Sequence, residues 1–248
     1  MDKKYILYYS KATLPFNFKT MRGKLIAIEG GDGSGKTVQK ELLLKRLQLS
    51  GQPALGVDFP RRLEISGQLI NEYLNGTFGS LSEVGAYPAS LLYAFDRWVA
   101  SRVLSTQLAG GTSVVANRYT GSNLAHQGAK ITDDALRQEF FNWTEDLEFN
   151  KLGIPRPDLN LILHVPADIA YDLVGQKRDR DILSGEKRNI HETDRGYLKA
   201  TEKLYLELAT RPGYQIIECA PEGKLLPEDE IGEMVWAVVS KILSSSTE

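Results

Sequence analysis

A glycine-rich stretch from Gly30 to Thr37 constrains the fold more than any other part of the chain. Its residues fit the pattern G-x-x-x-x-G-K-[ST], in which backbone N–H groups surround the phosphates of a nucleotide. An apolar run, Lys24–Glu29, precedes the stretch and a helical pattern follows it, which is the strand–loop–helix context that such a loop requires. The helix adds the positive end of its dipole to the anion site. The sequence therefore predicts a loop that binds ATP or GTP.

Two residues at the end of this loop have predicted chemical roles. Lys36 is expected to reach the β- and γ-phosphates, and the Thr37 hydroxyl is expected to ligate Mg²⁺. A guanine-selective switch protein is disfavoured, because the nearest approach to its N-K-x-D element, Asn150–Gly153, lacks the aspartate. The glycine spacing also differs from the G-x-G-x-x-G dinucleotide fingerprint. The candidate ATP-binding residues are Gly30, Gly31, Asp32, Gly33, Ser34, Gly35, Lys36 and Thr37.

Charge and composition argue against several other classes of protein. The 248 residues contain 30 Lys and Arg against 32 Asp and Glu, so no basic surface for a nucleic acid is expected. The single cysteine, Cys219, excludes a disulfide framework within the chain. No apolar run approaches the roughly 18 residues of a membrane span, and the N-terminus lacks a secretion signal. We therefore expect no membrane partner and a cytoplasmic location.

Strand and helix patterns alternate along the whole chain after the loop. This alternation implies parallel strands with right-handed crossovers, and so a three-layer α/β domain with a five-stranded parallel sheet. After the first strand, the predicted strands are Ala54–Asp58, Thr112–Ala116, Asp158–Val165 and Gln215–Cys219. The predicted helices are Lys36–Leu49, Leu63–Leu74, Ala89–Leu108, Thr132–Phe149, Ala167–Val174, Asp194–Ala209 and Glu228–Leu243.

One domain accounts for residues 21–248, because no internal repeat or linker divides them. Residues 1–20 precede the first core strand and show no sustained helical period. They fit an N-terminal extension, an edge strand through Tyr5–Tyr9, or translation from an upstream start codon. The sequence leaves these three alternatives open.

Several arginines follow predicted strands or lie on helices near strand ends. In an open parallel sheet, ligands bind beyond the carboxyl ends of the strands, so Arg62 and Arg118 are expected to face one crevice together with the loop. Phosphoryl transfer requires positive charge on the donor and acceptor phosphates and little covalent chemistry from the protein. A second, phosphate-bearing substrate beside the nucleotide is therefore expected.

These residues stand in segments that resemble the ordered motifs of the thymidylate kinase family. The segments are Glu29–Thr37, Asp58–Arg62, Leu91–Arg97 and Asn117–Gly128, with further similarity at Pro157–Leu163 and Tyr205–Ala209. The resemblance spans about Met21 to Val239. It implies a P-loop nucleoside monophosphate kinase fold with a short lid, and the reaction of ATP with dTMP to give ADP and dTDP in the presence of Mg²⁺. It also implies a homodimer through long helices such as Ala89–Leu108.

For the phosphate and sugar of dTMP, the resemblance implies four contact residues, Asp32, Phe59, Arg62 and Arg118. Asp32 matches the loop acid on the side of the 3′-hydroxyl group. Arg62, which follows Phe59 in the same motif, matches the arginine that holds the acceptor phosphate. Arg118 matches an arginine beside both phosphates.

For the thymine ring, the resemblance implies a stacking residue and a hydrogen-bond donor. Tyr93 matches the aromatic residue that stacks on the base, and Arg97 matches the arginine that binds a base carbonyl. Ser122 and Gln127 match residues that line the base and sugar pocket.

A cation over the γ-phosphate is expected from a lid rather than from the loop. Some members of the family carry an arginine within the phosphate-binding loop, where this chain has Gly33. Residues 177–192 resemble the lid of the other members and supply Arg178, Arg180 and Arg188. The candidate catalytic residues are Lys36, Arg118, Arg180 and Arg188, with Arg180 ranked before Arg188 in the lid.

Two departures from the family pattern leave alternatives open. Asn117 replaces an aspartate expected near the metal, so either Glu29 or Asp96 supplies the charge through water, or Mg²⁺ binds more weakly. His126 stands where a tyrosine often helps to exclude a 2′-hydroxyl group. The alternatives are a kinase for dUMP, another pyrimidine monophosphate or a deoxynucleoside, and a nucleotide-binding module with little catalysis.

Overall fold

A computed structural model describes residues 22–182 and 195–244 of the chain. It contains one parallel sheet with the strand order β2-β3-β1-β4-β5, which confirms the predicted α/β architecture. The strands are β1 (Leu25–Glu29), β2 (Ala54–Asp58), β3 (Ser113–Asn117), β4 (Leu159–His164) and β5 (Tyr214–Glu218). Every residue of β1 is buried, as expected for the central strand of a sheet that is covered on both faces.

Helices cover both faces of this sheet. The α-helices are α1 (Lys36–Leu49), α2 (Ile65–Leu74), α3 (Leu81–Val84), α4 (Ala86–Ala109), α5 (Thr120–Gly128), α6 (Asp134–Glu145), α7 (Ala167–Ile182), α8 (Arg195–Ala209) and α9 (Glu228–Ser244). A π-helix (Asp146–Lys151) continues α6, and a 3₁₀ turn (Pro221–Gly223) follows β5. Within the described part of the chain, no helix has the length and hydropathy needed to cross a membrane.

Alternate residues of β1 belong to different hydrophobic clusters. Ile26 and Ile28 pack in a cluster with apolar residues of α1 and α9, whereas Leu25 and Ala27 pack with those of α4. A third cluster joins α5, α6 and α8 around Ile162 of β4. These layers bury both faces of the sheet and leave its strand ends at an edge where the loops meet.

Helix α5 is the main element that the sequence patterns missed. Eight of its nine residues are buried, among them Thr120, Ser122, Asn123 and Gln127. The helix is short and its first four residues, Thr120–Asn123, are polar or glycine, so this stretch resembles a loop in the sequence. Its position against α4, α6 and α8 depends on tertiary packing rather than on a local signal.

Several predicted boundaries also differ from the structure. The single helix predicted over Thr132–Phe149 is instead α6 followed by the π-helix, and Asp133 caps α6 by accepting a hydrogen bond from the Leu136 N–H at 2.9 Å. Helix α4 begins three residues before the predicted start, with Pro88 in its first turn, where a missing N–H is tolerated. Residues 1–20 and most of the predicted lid, 183–192, lie outside the described residues.

The carboxyl ends of β1, β2 and β3 meet at one edge of the sheet. Asn117, at the end of β3, pairs in register with Asp58 of β2 on one side and with Ile28 of β1 on the other. The phosphate-binding loop follows β1 directly at this edge. The topology therefore brings the loop, Asp58 and the segment after Asn117 to the same place.

Candidate active site

The loop after β1 has the backbone conformation of a phosphate cradle. Gly30, Gly33 and Gly35 have φ values of 137°, 79° and 81°, a region that side chains with a Cβ rarely adopt. A Cβ on Gly30 would also lie 2.5 Å from the carbonyl oxygen of Leu163. The α1 helix then begins at Lys36, so its N-terminal N–H groups face the same space.

Lys36 and Thr37 lie at the mouth of this cradle. The Lys36 ammonium donates hydrogen bonds to the Gly31 carbonyl at 2.5 Å and to the Ser34 hydroxyl at 3.4 Å, and the side chain is largely buried. The Thr37 hydroxyl accepts a hydrogen bond from the Asn117 amide at 3.3 Å. Both side chains therefore lie where the sequence pattern predicts contact with phosphate and metal.

A cavity opens beside the loop. All of the side chains that the sequence assigns to the acceptor line it, namely Asp32, Phe59, Arg62, Tyr93, Arg97, Arg118, Ser122 and Gln127. The structure thus brings together residues that are spread over almost 100 positions of the sequence.

Arg118 joins the loop to the cavity. Its guanidinium donates to the Gly30 carbonyl at 3.3 Å and to the Ser122 hydroxyl at 3.2 Å, and it pairs with the Asp32 carboxylate. Its φ of 66° is unusual for a residue with a side chain and is a sign of strain that the surrounding contacts maintain. Burial lowers the pKa of Arg118, but the nearby Asp32 carboxylate more than offsets this and the pKa stays above its ordinary value.

Glu29 and Asp96, the two carboxylates named for a water-mediated contact with the metal, both accept hydrogen bonds from neighbouring protein groups. Glu29 accepts hydrogen bonds from the Tyr119 N–H at 3.0 Å and from the Ser122 hydroxyl, and burial raises its pKa. Asp96 accepts hydrogen bonds from the Arg61 N–H at 2.8 Å and from a side-chain hydroxyl on α2 at 2.6 Å. The structure gives both carboxylates the role of holding neighbouring elements in place.

Arg97 is buried in a network that the sequence patterns did not indicate. Its guanidinium forms two hydrogen bonds with Glu148 of the π-helix, at 2.7 and 2.6 Å. Glu148 also accepts from the Thr120 hydroxyl at 2.8 Å and from the Asn123 amide at 3.1 Å. The remaining Arg97 nitrogen lies 3.5 Å from the Tyr119 carbonyl, so this weakly bonded donor is the one available at the cavity.

Comparison with known proteins identifies the family. A profile described as thymidylate kinase matches residues 28–229. The chain belongs to the thymidylate kinase family. It is 31% identical to the thymidylate kinase of Mycobacterium tuberculosis over 188 residues, which cover 75% of this chain and 86% of the relative.

Other relatives and a solved structure agree with this family. The thymidylate kinase of Afipia carboxidovorans is 32% identical over 229 residues, which cover 91% of this chain and 92% of the relative. The solved thymidylate kinase of Candida albicans, described by its authors as having broad substrate specificity, matches with a TM-score of 0.64 and 25% identity. That match covers 92% of this chain and 94% of the other.

Tyr93, which the family resemblance assigns to the base, and Phe59 both line the cavity and pack against other aromatic rings. Tyr93 packs edge-on against Tyr73, with ring centroids 6.4 Å apart, and Phe59 packs edge-on against Tyr119 at 5.6 Å. Burial raises the pKa of Tyr93 to about 12, so its phenol is neutral at physiological pH. Arg62 is an exposed member of the predicted dTMP contacts, and its guanidinium donates to the side-chain amide oxygen of Asn71 at 3.0 Å.

Two polar residues that line the cavity, Asn123 and Tyr197, were missing from the predicted contacts. Asn123 and Gln127 of α5 each have a buried amide oxygen without a hydrogen-bond donor among the described residues. Tyr197 of α8 bonds the His126 ring at 2.9 Å. Asn123 lies within a motif that resembles the family, but only knowledge of helix α5 would have placed its side chain in the cavity.

His126 has both ring nitrogens engaged. Its Nε2 lies 3.0 Å from Arg118, which can only donate, so Nε2 accepts and Nδ1 carries the proton toward Tyr197. The imidazole is therefore neutral in this arrangement. The lid arginines remain predictions: Arg180 lies in the last turn of α7, and Arg188 lies outside the described residues.

Proposed function

We propose that the loop and the cavity form one two-substrate site that transfers the γ-phosphoryl group of ATP to the 5′-phosphate of dTMP. The chain is a kinase that phosphorylates dTMP to dTDP, as its family membership shows. The observation that supports this use of the cavity is Arg118, which contacts the loop at Gly30 and lines the cavity at the same time. A phosphate in the cavity would then face a phosphate on the loop.

The chemistry depends on charge and position rather than on a base. A loose transition state spreads negative charge over the transferred group, and positive groups already in place lower its energy. Lys36 and the N-terminal end of α1 serve the donor, Arg62 serves the acceptor, and Arg118 serves both. Arg180 and Arg188 are proposed to complete the donor side, since closure of a lid also excludes water.

Mg²⁺ fits the oxygen donors beside the loop. In the described part of the chain, no group of three acidic, histidine or cysteine side chains forms a complete metal site. This suits Mg²⁺, which is usually held by few protein ligands, by substrate phosphates and by water. Thr37 would bind it through the hydroxyl, and the ion supplies neutralisation of the ATP phosphates.

The cavity also offers a hydrogen-bond pattern that matches thymine. Thymine presents a carbonyl acceptor at C4 and an N–H donor at N3, and cytosine presents the opposite pattern at these two positions. The weakly bonded nitrogen of Arg97 suits the carbonyl, and the buried amide oxygen of Asn123 or Gln127 suits the N–H. Tyr93 and Phe59 provide the apolar walls for the ring.

A homodimer is proposed on the basis of the exposed face of α4, and the cytoplasmic location stays a prediction from the sequence. Its large apolar residues are between 43% and 58% exposed and recur at helical spacing, namely Leu91, Phe95, Trp98, Val99 and Val103. An exposed apolar stripe of this size is typical of an interaction surface. The family resemblance supports a second copy of the chain as its partner.

A substrate panel tests the proposed function. ADP release would be measured with ATP and each of dTMP, dUMP, dCMP, dGMP and UMP, with ATP alone as the control for hydrolysis. We expect kcat/KM to be highest for dTMP, lower for dUMP, and lowest for dCMP and dGMP. Preference for dCMP would contradict the assigned hydrogen bonds, and preference for dGMP would contradict a cavity that fits thymine. Efficient use of UMP would show that His126 does not exclude the 2′-hydroxyl group.

A further inference from the structure

Asp58 meets Asn117 and Thr37 beside the phosphate-binding loop. The Asn117 amide nitrogen lies 2.8 Å from one carboxylate oxygen of Asp58 and 3.3 Å from the Thr37 hydroxyl oxygen. Asp58 ends β2 and is paired in register with Asn117 at the end of β3. The carboxylate and the hydroxyl therefore share one hydrogen-bond donor between them.

The orientation of the Asn117 amide follows from its neighbours. A carboxylate accepts hydrogen bonds and cannot donate them, so the amide must turn its nitrogen toward Asp58. The amide oxygen of Asn117 is then buried without a donor among the described residues. Asn117 thus acts as a neutral donor at the position where the family pattern has an aspartate.

We propose that Asp58 supplies the carboxylate that assists Mg²⁺ in this chain, through a water molecule bound to the ion. Thr37 is the direct ligand, and Asn117 positions Asp58 beside it. The inference rests on the proposed function, because the metal belongs to the ATP that the loop binds. The carboxylate beside the loop thus lies at the end of β2, in Asp58. At the end of β3, where the family pattern has an aspartate, this chain has the Asn117 amide.

The surroundings of Asp58 suit a carboxylate that contacts Mg²⁺ through one of the water molecules bound to the ion. Its side chain is 53% exposed, so water reaches it, and Mg²⁺ readily keeps several of its waters. The second carboxylate oxygen accepts from the buried Lys40 ammonium at 2.5 Å. Lys40 fixes this end of the carboxylate, and the other oxygen stays on the side of Asn117 and Thr37.

Three variants test whether the carboxylate can occupy either strand end. They are Asp58→Asn, Asn117→Asp and the exchange of both residues, D58N/N117D. Binding of Mn²⁺ would be measured from the electron paramagnetic resonance signal of free Mn²⁺, with the enzyme saturated with a non-hydrolysable ATP analogue. Affinity for the analogue without metal, and the melting temperature, would be measured for each variant.

We expect Asp58→Asn to weaken Mn²⁺ binding about tenfold or more, as is typical when an outer partner of a metal site is removed. The exchange D58N/N117D should restore the affinity to within about threefold, because a carboxylate again stands beside Thr37. Glu41→Gln is the matched control, since Glu41 is the other carboxylate paired with Lys40, at 3.2 Å, and it should leave Mn²⁺ binding unchanged.

Either of two results would overturn the proposal. One is an Mn²⁺ affinity of Asp58→Asn equal to that of the wild type. The other is an exchange variant that binds Mn²⁺ as weakly as Asp58→Asn does. Because the binding assay contains no dTMP, these results are distinct from failure of the proposed reaction, which the substrate panel measures with the unaltered chain.

Discussion

The donor loop and the acceptor cavity meet at Arg118, but they are held in place by different means. The loop consists of eight consecutive residues, and its shape depends on glycine backbone conformations and on the start of α1. The cavity is lined from several helices and strand ends, and side-chain pairs such as Arg97 with Glu148 hold these elements together. The donor half is therefore local in sequence, whereas the acceptor half depends on tertiary contacts.

This difference affects how each half should respond to mutation. In a buried network, removing one partner leaves the other without a hydrogen bond in a medium of low dielectric constant. Near the loop, polar groups such as Thr37 and Asp58 are exposed, and water can replace a lost partner. We expect changes in the cavity to cost stability as well as activity, and changes beside the loop to affect chiefly binding.

The largest effect is expected where the two halves join. Arg118→Met removes the guanidinium that contacts Gly30, Ser122 and Asp32, and we expect kcat to fall about a thousandfold, the scale seen when a phosphate-stabilising arginine is lost. Steady-state kinetics with ATP and dTMP would measure it. Arg46→Met, which breaks a surface ion pair with Glu233, is the control and should leave kcat unchanged. A fall in kcat below tenfold for Arg118→Met would show that Arg118 does not stabilise the transition state.

A second test compares two carboxylates that are close in the sequence, Glu145 at the end of α6 and Glu148 in the π-helix that follows it. Glu148→Ala leaves the buried Arg97 unpaired, and we expect the free energy of unfolding to fall by about 3 kcal/mol or more. Glu145→Ala breaks a partly exposed pair with Arg211 and should cost about 1 kcal/mol or less. Urea denaturation monitored by circular dichroism would measure both. Equal costs would show that the cavity network is no more tightly coupled than the surface.

The same contrast explains which features could be predicted from the sequence. The loop, its preceding strand and α1 follow from neighbouring residues, and the sequence predicts them correctly. The pair of Arg97 with Glu148 joins positions 51 residues apart, and helix α5 begins with polar and glycine residues that resemble a loop, so neither could be predicted from neighbouring residues. Asp58 begins the Asp58–Arg62 motif, but its place beside Thr37 depends on the pairing of β2 with β3.

The smallest effect concerns Lys130, which follows α5 and donates to the Tyr73 hydroxyl at 2.6 Å. Burial lowers the pKa of Lys130 to about 8, whereas a lysine in the unfolded chain titrates near 10.4. The unfolded chain therefore binds more protons between these values, and the stability of the wild type should rise with pH in that interval. Because the side chain is only partly buried, we expect a rise of about 1 kcal/mol from pH 8 to pH 10 relative to Lys130→Met. Urea denaturation of both proteins across this range measures the difference, and parallel pH profiles would show that the Lys130 ammonium is as well solvated in the folded chain as in the unfolded one.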